Sequence, residues 1–415
     1  MGCYLCRLYT ISFMLRKFLC LSVTLLATGA TYAQSGCTDP AASNYNPLAV
    51  TNDGSCIYPV THKNPILKGA MSHIITESSG VEWTDGRLWT HNDSGNPAEI
   101  YSIDTTDGHT LQTITIDNYP NNDWEDISAD SNYIYVGDHG NNDGSRRNLK
   151  VLKIAKSDVG AGTSIHVNAQ AISFSYADQT DFSGSSTNNF DCEALISIRD
   201  SLYIFTKDRG DLQTRVYKMP KAPGTYILTP YTSYNVEGLI TGADYNAVTK
   251  EIVLIGYLSD HTNPFLWFLS DYQGDMFFSG NKRRIEIGGN SEWQTEGVAW
   301  VSDSRYFISC ETRGDTVASL YIDSKAMNGA TSAQDIHAAV TCAVFPDPAT
   351  DVLHIYGLQA KAAYEHINMA GASFGKGILT AGNNTISVKD MPCGNYMIRI
   401  DEDHATSAFV KFLKR

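Results

Sequence analysis

Two stretches far apart in the chain read alike: SSGVEWTDGRLWTHND at 78–93 and TEGVAWVSDSRYFISCE at 295–311. Gly80-Val81 falls on Gly297-Val298 and Trp83 on Trp300, which puts Ser79 at the position of Glu296. Each begins with a polar residue, a glycine and an apolar residue, passes a turn, and resumes as an alternating strand, the period-2 signature of paired strands. Three further segments open with an acidic residue, a small or polar one and an apolar one: Glu125-Asp126-Ile127, Glu193-Ala194-Leu195 and Glu237-Gly238-Leu239. Five repeats between residues 64 and 325 follow from this alignment.

Working outward, second strands are expected at 87–91, 133–137, 202–207, 251–257 and 305–310, and third strands at 99–103, 149–154, 215–219, 265–269 and 318–322. Fourth strands at 111–116, 171–176, 225–229 and 283–287 complete four repeats. The fifth has none of its own, while a strand-like stretch at 65–70 has no repeat. Sheet edges left open in a ring invite aggregation, so the N-terminal strand is expected to complete the last sheet and close the circle. The predicted fold class is all-β: a five-bladed β-propeller followed by a small C-terminal Ig-like β-sandwich. The interval is 68 residues from Glu125 to Glu193 but 59 from Glu237 to Glu296, which keeps six blades open as an alternative. Abundant Tyr (23) and Gly (33) with only 18% charged residues favours strands and turns over long helices.

From Met14 the chain reads as a basic pair, Arg16-Lys17, an apolar run from Phe18 to Leu26 and small residues ending at Ala33. This is the pattern of a secretory signal peptide, and the run is too short for a permanent membrane span. The expected division is a signal peptide at 1–33, a disulfide-bracketed polar module at 34–60, the propeller at 61–328, a linker at 329–342 and a terminal domain at 343–415. Removing Arg7, Arg16 and Lys17 takes the formal charge from −14 to −17, and the tail from Val340 onward is balanced. The negative charge therefore belongs to residues 34–339, a surface that repels nucleic acid and anionic membrane. Of the cysteines past residue 33, Cys37 and Cys56 close a short polar loop and are expected to pair. Cys192 and Cys310 read as buried strand residues, and a bridge between Cys342 and Cys393 stays open. The loop's Asp39, Asn44, Asn46, Asn52 and Asp53 suit either turns or Ca2+.

Three resemblances then become visible. Residues 36–58 resemble a short module recurring in secreted proteins of the Bacteroidetes type. WTHNDSG, DWEDI and YVGDHGNN, with the recurring Glu-Gly-apolar openings, resemble secreted propellers of the SdiA-regulated and esterase-like phytase families, some of which are taken to hydrolyse phosphate or ester bonds. VFPDPATDVLHIYG, ISVKDMPCGNYMIRI and the terminal FVKFLKR resemble the C-terminal sorting domain of the type IX secretion system. That likeness implies handling by the type IX machinery and release or display outside the cell.

The repeat Glu residues open the innermost strands, so Glu125, Glu193, Glu237 and Glu296 are expected to encircle one mouth of the channel. The turns after the second strands add Asp93, Asp138, His139, Asp208, Arg209, Glu311 and Arg313. So many carboxylates at one opening need compensation from raised pKa values, from neighbouring bases, or from a cation. Ca2+ shared by Glu125, Glu193, Glu237 and Glu296 is one expectation, and Glu side chains that fasten neighbouring blades are the other. Arg-Gly-Asp occurs at 209–211 and 313–315, equivalent turns of the repeat, so turn chemistry explains it better than cell adhesion. Neither a Ser or Cys nucleophile motif nor a nucleotide loop is present. Two functions remain: a binding module for a small molecule, glycan or protein, or a Ca2+-dependent hydrolase of phosphate or other esters.

Overall fold

A computed structural model describes residues 34–258, 261–288, 293–314, 316–325, 343–345, 349–358, 361–368, 372–402 and 408–415. The expected signal peptide, the linker and Cys342 lie outside these residues. Among those described the chain is all-β apart from a single 3-10 turn, Lys156–Asp158. No helix in them is long and apolar enough to cross a membrane.

Five antiparallel sheets follow one another along the chain. The first holds Ser78–Thr84, Arg87–Asn92, Glu99–Ile103 and Thr110–Ile116; the second Trp124–Ala129, Tyr133–Asp138, Lys150–Ala155 and Gln170–Tyr176. The third holds Cys192–Ile198, Ser201–Thr206, Gln213–Pro220 and Pro230–Asn235, and the fourth Leu239–Asn246, Glu251–Tyr257, Phe265–Ser270 and Asn281–Ile287. The fifth has three consecutive strands, Thr295–Trp300, Arg305–Cys310 and Ser319–Ser324. Its fourth is Ile66–Ala70, with Ile66 opposite Ile322 and Ala70 opposite Ser319. The first strands of the sheets are neighbours in a closed, propeller-like ring, the fifth lying against the first.

The apolar core explains why the strands read as nearly continuous hydrophobic runs. It is divided into five clusters, each filling the wedge between two adjacent sheets. Both faces of every sheet are therefore buried, and alternate residues serve opposite wedges. Leu202 and Ile204 pack toward the second sheet, whereas Tyr203 and Phe205 pack toward the fourth. Cys192 and Cys310 are buried free thiols in these wedges.

One strand assignment needs correcting. The stretch expected at 225–229 as the fourth strand of the third repeat instead pairs, as Gly224–Leu228, in parallel with Gln170–Tyr176 of the second sheet. Pro230–Asn235 takes its place, with Pro230 on an outer edge where a missing N–H costs no ladder bond. Ser164–Val167 and His62–Lys63 are likewise parallel fifth strands that cover the edges of the first and fourth sheets.

The N-terminal module is closed by a Cys37–Cys56 disulfide. Its polar side chains are occupied as turn formers: Asp39, Asn46, Asn52 and Asp53 each accept the backbone N–H two residues on, and Asn44 accepts that of Ile57. The module docks on the fourth sheet, with the Asn52 amide donating to Asn281 at 2.8 Å and Lys282 donating to the Gly54 carbonyl at 3.0 Å. Gly54 sits at φ +75°, and a Cβ there would lie 2.4 Å from the Ser279 carbonyl oxygen, so glycine is required. At the other end, strands of 343–415 form sheets of three and four strands over one cluster that includes Leu353, Ile355, Ile398, Ile400 and Phe412. Cys393 there is exposed and free.

Candidate functional site

A recurring irregularity builds the site. In each sheet the pairing of first and second strands slips by one residue, leaving Ser79, Glu125, Glu193, Thr241 and Glu296 at equivalent bulges. A bulge turns its extra residue out of the ladder. Ser79, Glu125, Glu193 and Glu296 accordingly line one polar pocket of about 110 Å³ at the mouth of the ring. Thr241 donates instead to the Thr295 carbonyl at 2.6 Å, as Ser79 does to the Glu125 carbonyl at 2.6 Å. A second layer comes from the residue one past the second-strand partner of the residue before each bulge: Asp93, His139, Lys207, Tyr257 and Glu311. All of these but His139 line the same pocket.

This register places six of the eleven expected residues at the mouth: Asp93, Glu125, Glu193, Arg209, Glu296 and Glu311. Five lie elsewhere. Glu237 is exposed at φ 55°, four residues ahead of the fourth bulge, because Thr241-Gly242-Ala243 and not Glu237-Gly238-Leu239 is the true equivalent. Asp138 and Asp208 are each one residue out of register, and a one-residue shift turns a strand side chain to the other face. Asp138 is spent on Arg146 at 2.7 Å, Lys150 at 2.9 Å and Asn122 at 2.7 Å; Asp208 is ion-paired with Arg215. His139 folds inward, its Nδ1 2.9 Å from the Cys192 carbonyl oxygen, and burial lowers its pKa to about 4. Arg313 is half-buried away from the pocket. Lys207, Tyr257, Gln294 and Asn142 line the mouth and were missed, and His261 joins them from the turn after the fourth sheet's second strand. The first two become visible only when residues are counted from the bulges.

The charges divide the mouth into two halves. On one side Lys207 Nζ is 2.7 Å from Glu193 Oε2, and Arg209 is 2.9 Å from Asp191 and 3.7 Å from Glu193. Burial works against the Lys207 ammonium, but Glu193, Tyr257 and Glu296 outweigh it and hold its pKa well above the lysine range. On the other side carboxylate oxygens of Asp93, Asp123 and Glu125 lie within 4.8 Å of one another. Two unit charges about 5 Å apart at an effective dielectric of 20 repel by about 3 kcal/mol. Burial, then the Asp93 charge, raises Asp123 to about 6, and the same two causes raise Glu311 to about 7. Burial and the neighbouring carboxylates push Glu125 well above the usual range.

Next to the bulges a single carboxyl ties the inner strands together. Asp126, the residue after the second bulge, accepts the N–H of Ile127 at 2.9 Å, of Leu195 at 2.8 Å and of Ala243 at 3.3 Å. A Cβ on Gly80 would meet its Oδ1 at 2.3 Å. Inner strands of the first four sheets thus converge on one side chain.

Residues 343–415 match the family described as the secretion system C-terminal sorting domain. That domain marks proteins of the type IX system that are secreted or held at the outer surface, so the chain is exported by that machinery. No curated protein matches the chain. Among solved structures it is similar to an exo-β-1,3-galactanase of Phanerochaete chrysosporium, at 10% identity and TM-score 0.42 over 84% of this chain and 99% of that one. It is also similar to the PQQ-bound aldose sugar dehydrogenase of Streptomyces coelicolor, at 11% and 0.37 over 64% and 99%. A third is PorZ of Porphyromonas gingivalis, a surface component of the type-IX secretion system, at 13% and 0.30 over 88% and 48%. With TM-scores under 0.5, none of the three bears on what this chain binds.

Proposed function

We propose that the chain is a surface-displayed or released binding module: a five-bladed propeller over 61–328 that holds the polar end of a ligand in its mouth. The N-terminal module at 34–60 braces it, and the β-sandwich at 343–415 delivers it. Five successive sheets with neighbouring first strands support the blade count, and one apolar cluster shared by two sheets supports the sandwich.

The observation that carries the binding role is the convergence of two layers of polar side chains on one pocket. Its volume of about 110 Å³ is well below the about 300–1,000 Å³ of sites that swallow a drug-sized ligand. It therefore accepts a terminal group, such as the hydroxyl face of a sugar or an amine, and leaves the rest of the ligand outside. Carboxylates of Glu296 and Glu311 offer acceptors, while Arg209 and Lys207 offer donors. The resemblance to SdiA-regulated and esterase-like phytase propellers fits the same polar mouth.

Thermal shift of the exported chain against immobilisation-free panels of neutral sugars, amino sugars and short basic peptides tests this. Stabilisation by one class, lost in Glu296→Gln and Glu311→Gln, is expected. Stabilisation that both variants retain, or none from any class, overturns it.

A further inference from the structure

The two halves of the mouth differ in how their charges are met, and the difference locates a site. Glu193 has Lys207 and Asp191 has Arg209. Asp93 and Glu125 have no ion-pair partner among the described residues, and Asp123 has only a long contact. Arg146 comes only to 3.7 Å from Asp123, and its short contacts go to Asp138 at 2.7 Å and to the Gly140 carbonyl at 2.5 Å. Asp93 is engaged by the Ser94 N–H, a donor that leaves its second oxygen available.

Glu125 supplies the second observation. Its side chain lines the pocket at 4% exposure, and among the described residues its carboxylate has neither a hydrogen-bond donor nor an ion-pair partner. A buried carboxylate aimed into a cavity without a partner is a group built for something not supplied by the protein. Three hard oxygen donors that can approach a common point suit a hard divalent cation, whose remaining positions are filled by water or by ligand oxygens.

We infer that Asp93, Asp123 and Glu125 bind one divalent cation of the Ca2+ class at the first-to-second sheet side of the mouth. This rests on the mouth being a ligand site and gives it a second means of holding one, since the ion's open positions face the pocket. It differs from a cation shared by Glu125, Glu193, Glu237 and Glu296. Glu237 is outside the pocket, and Glu193 already has its ammonium. The exposed group Asp104, Asp107 and His109 serves as a control, because Asp107 is occupied by the His109 ring at 2.6 Å.

The experiment is calorimetric titration of the whole exported chain, freed of metal, with Ca2+ and Mn2+. Glu125→Gln and Asp123→Asn are compared with the doubly substituted Asp104→Asn, Asp107→Asn chain. Expected is one ion per chain, bound at least tenfold more weakly in both mouth variants and unchanged in the control. Crystals of the parent soaked in Mn2+ keep the test open should a variant fail to fold: an anomalous peak bounded by the three carboxylates supports the site. Equal binding in parent and mouth variants, no binding in the parent, or a peak elsewhere overturns it. Ligand stabilisation that survives chelation while cation binding fails sinks this inference alone. Cation binding without any ligand response sinks the binding-module reading instead.

Discussion

Asp126 is where the ring can be tested most directly. Replacing it with alanine leaves three backbone N–H groups, those of Ile127, Leu195 and Ala243, without acceptors in a region 1% exposed at Asp126 itself. A buried donor left unpaired costs about 1–3 kcal/mol, so Asp126→Ala should cost about 4 kcal/mol once partial relaxation is allowed. For a domain of this size about 2–4 °C accompanies each kcal/mol, which gives a melting temperature lowered by about 10 °C. Burial, opposed by the three N–H donors, pushes this carboxyl well above the usual range, so a neutral amide is a fair stand-in. Asp126→Asn can turn its oxygen to Leu195 and Ala243 and lose only the Ile127 bond, for about 1–2 kcal/mol. All six tryptophans fall between residues 83 and 300, so intrinsic fluorescence follows the ring and ignores the sorting domain. An Asp126→Ala melt within 2 °C of the parent, or an asparagine variant as unstable as the alanine one, refutes the axial-fastener reasoning.

Deleting 60–72 removes the closing strand Ile66–Ala70 and should give aggregation or a large drop in the fluorescence melt; a deletion as stable as the parent would show closure elsewhere. Lys207→Met strips the ammonium from buried Glu193 and should cost about 3–5 kcal/mol, with Glu193→Gln in the same chain restoring most of it; additive losses would refute the pair. Asp130 is exposed enough to be desolvated only in part, and bonds from Lys221, Asn132 and Tyr135 outweigh that, holding it near 2. Its folded pKa is depressed, so its contribution is present above the unfolded value of about 3.9 and lost as pH falls toward 2; discounted for screening this is about 1 kcal/mol, absent in Asp130→Asn.

The ring was legible because its grammar is redundant. Four of the five repeats carry a small residue after the bulge, Gly80, Ala194, Gly242 and Gly297, since a Cβ on Gly297 would meet the Ser309 hydroxyl at 2.6 Å and one on Gly242 the Glu296 carbonyl oxygen at 2.5 Å. Alternating runs then mark the strands, and the strand left over at 66–70 has one vacancy to fill. What failed is register. Period-2 alternation identifies a strand but cannot show where an extra residue enters, so Asp138 and Asp208 fall one residue away from the positions counted from the bulges. His139 and Lys207 hold those positions, and of the two only Lys207 reaches the pocket. Glu237 was misled by composition: a Glu-Gly-Leu string four residues early outweighed Thr241-Gly242-Ala243. The parallel fifth strands were invisible because no hairpin turn announces a strand that arrives from another sheet.

Those slips matter to function more than to fold, because a propeller-like ring tolerates them and a charge map does not. An acidic ring with three or four equivalent Glu residues suggests a symmetric site. Counting from the bulges gives Ser79, Glu125, Glu193, Thr241 and Glu296 in one layer and Asp93, His139, Lys207, Tyr257 and Glu311 in the next. Sheets one, two, three and five then bring acids, the third also brings the base Lys207, and the fourth brings a hydroxyl pair. The resulting mouth is polarised across its width: a close ion pair at Glu193 and Lys207 faces three carboxylates, Asp93, Asp123 and Glu125, met only by Arg146 at 3.7 Å from Asp123. A polar ligand entering such a mouth has one orientation that satisfies both sides, which is how five near-equivalent sheets can build a site without five-fold ambiguity.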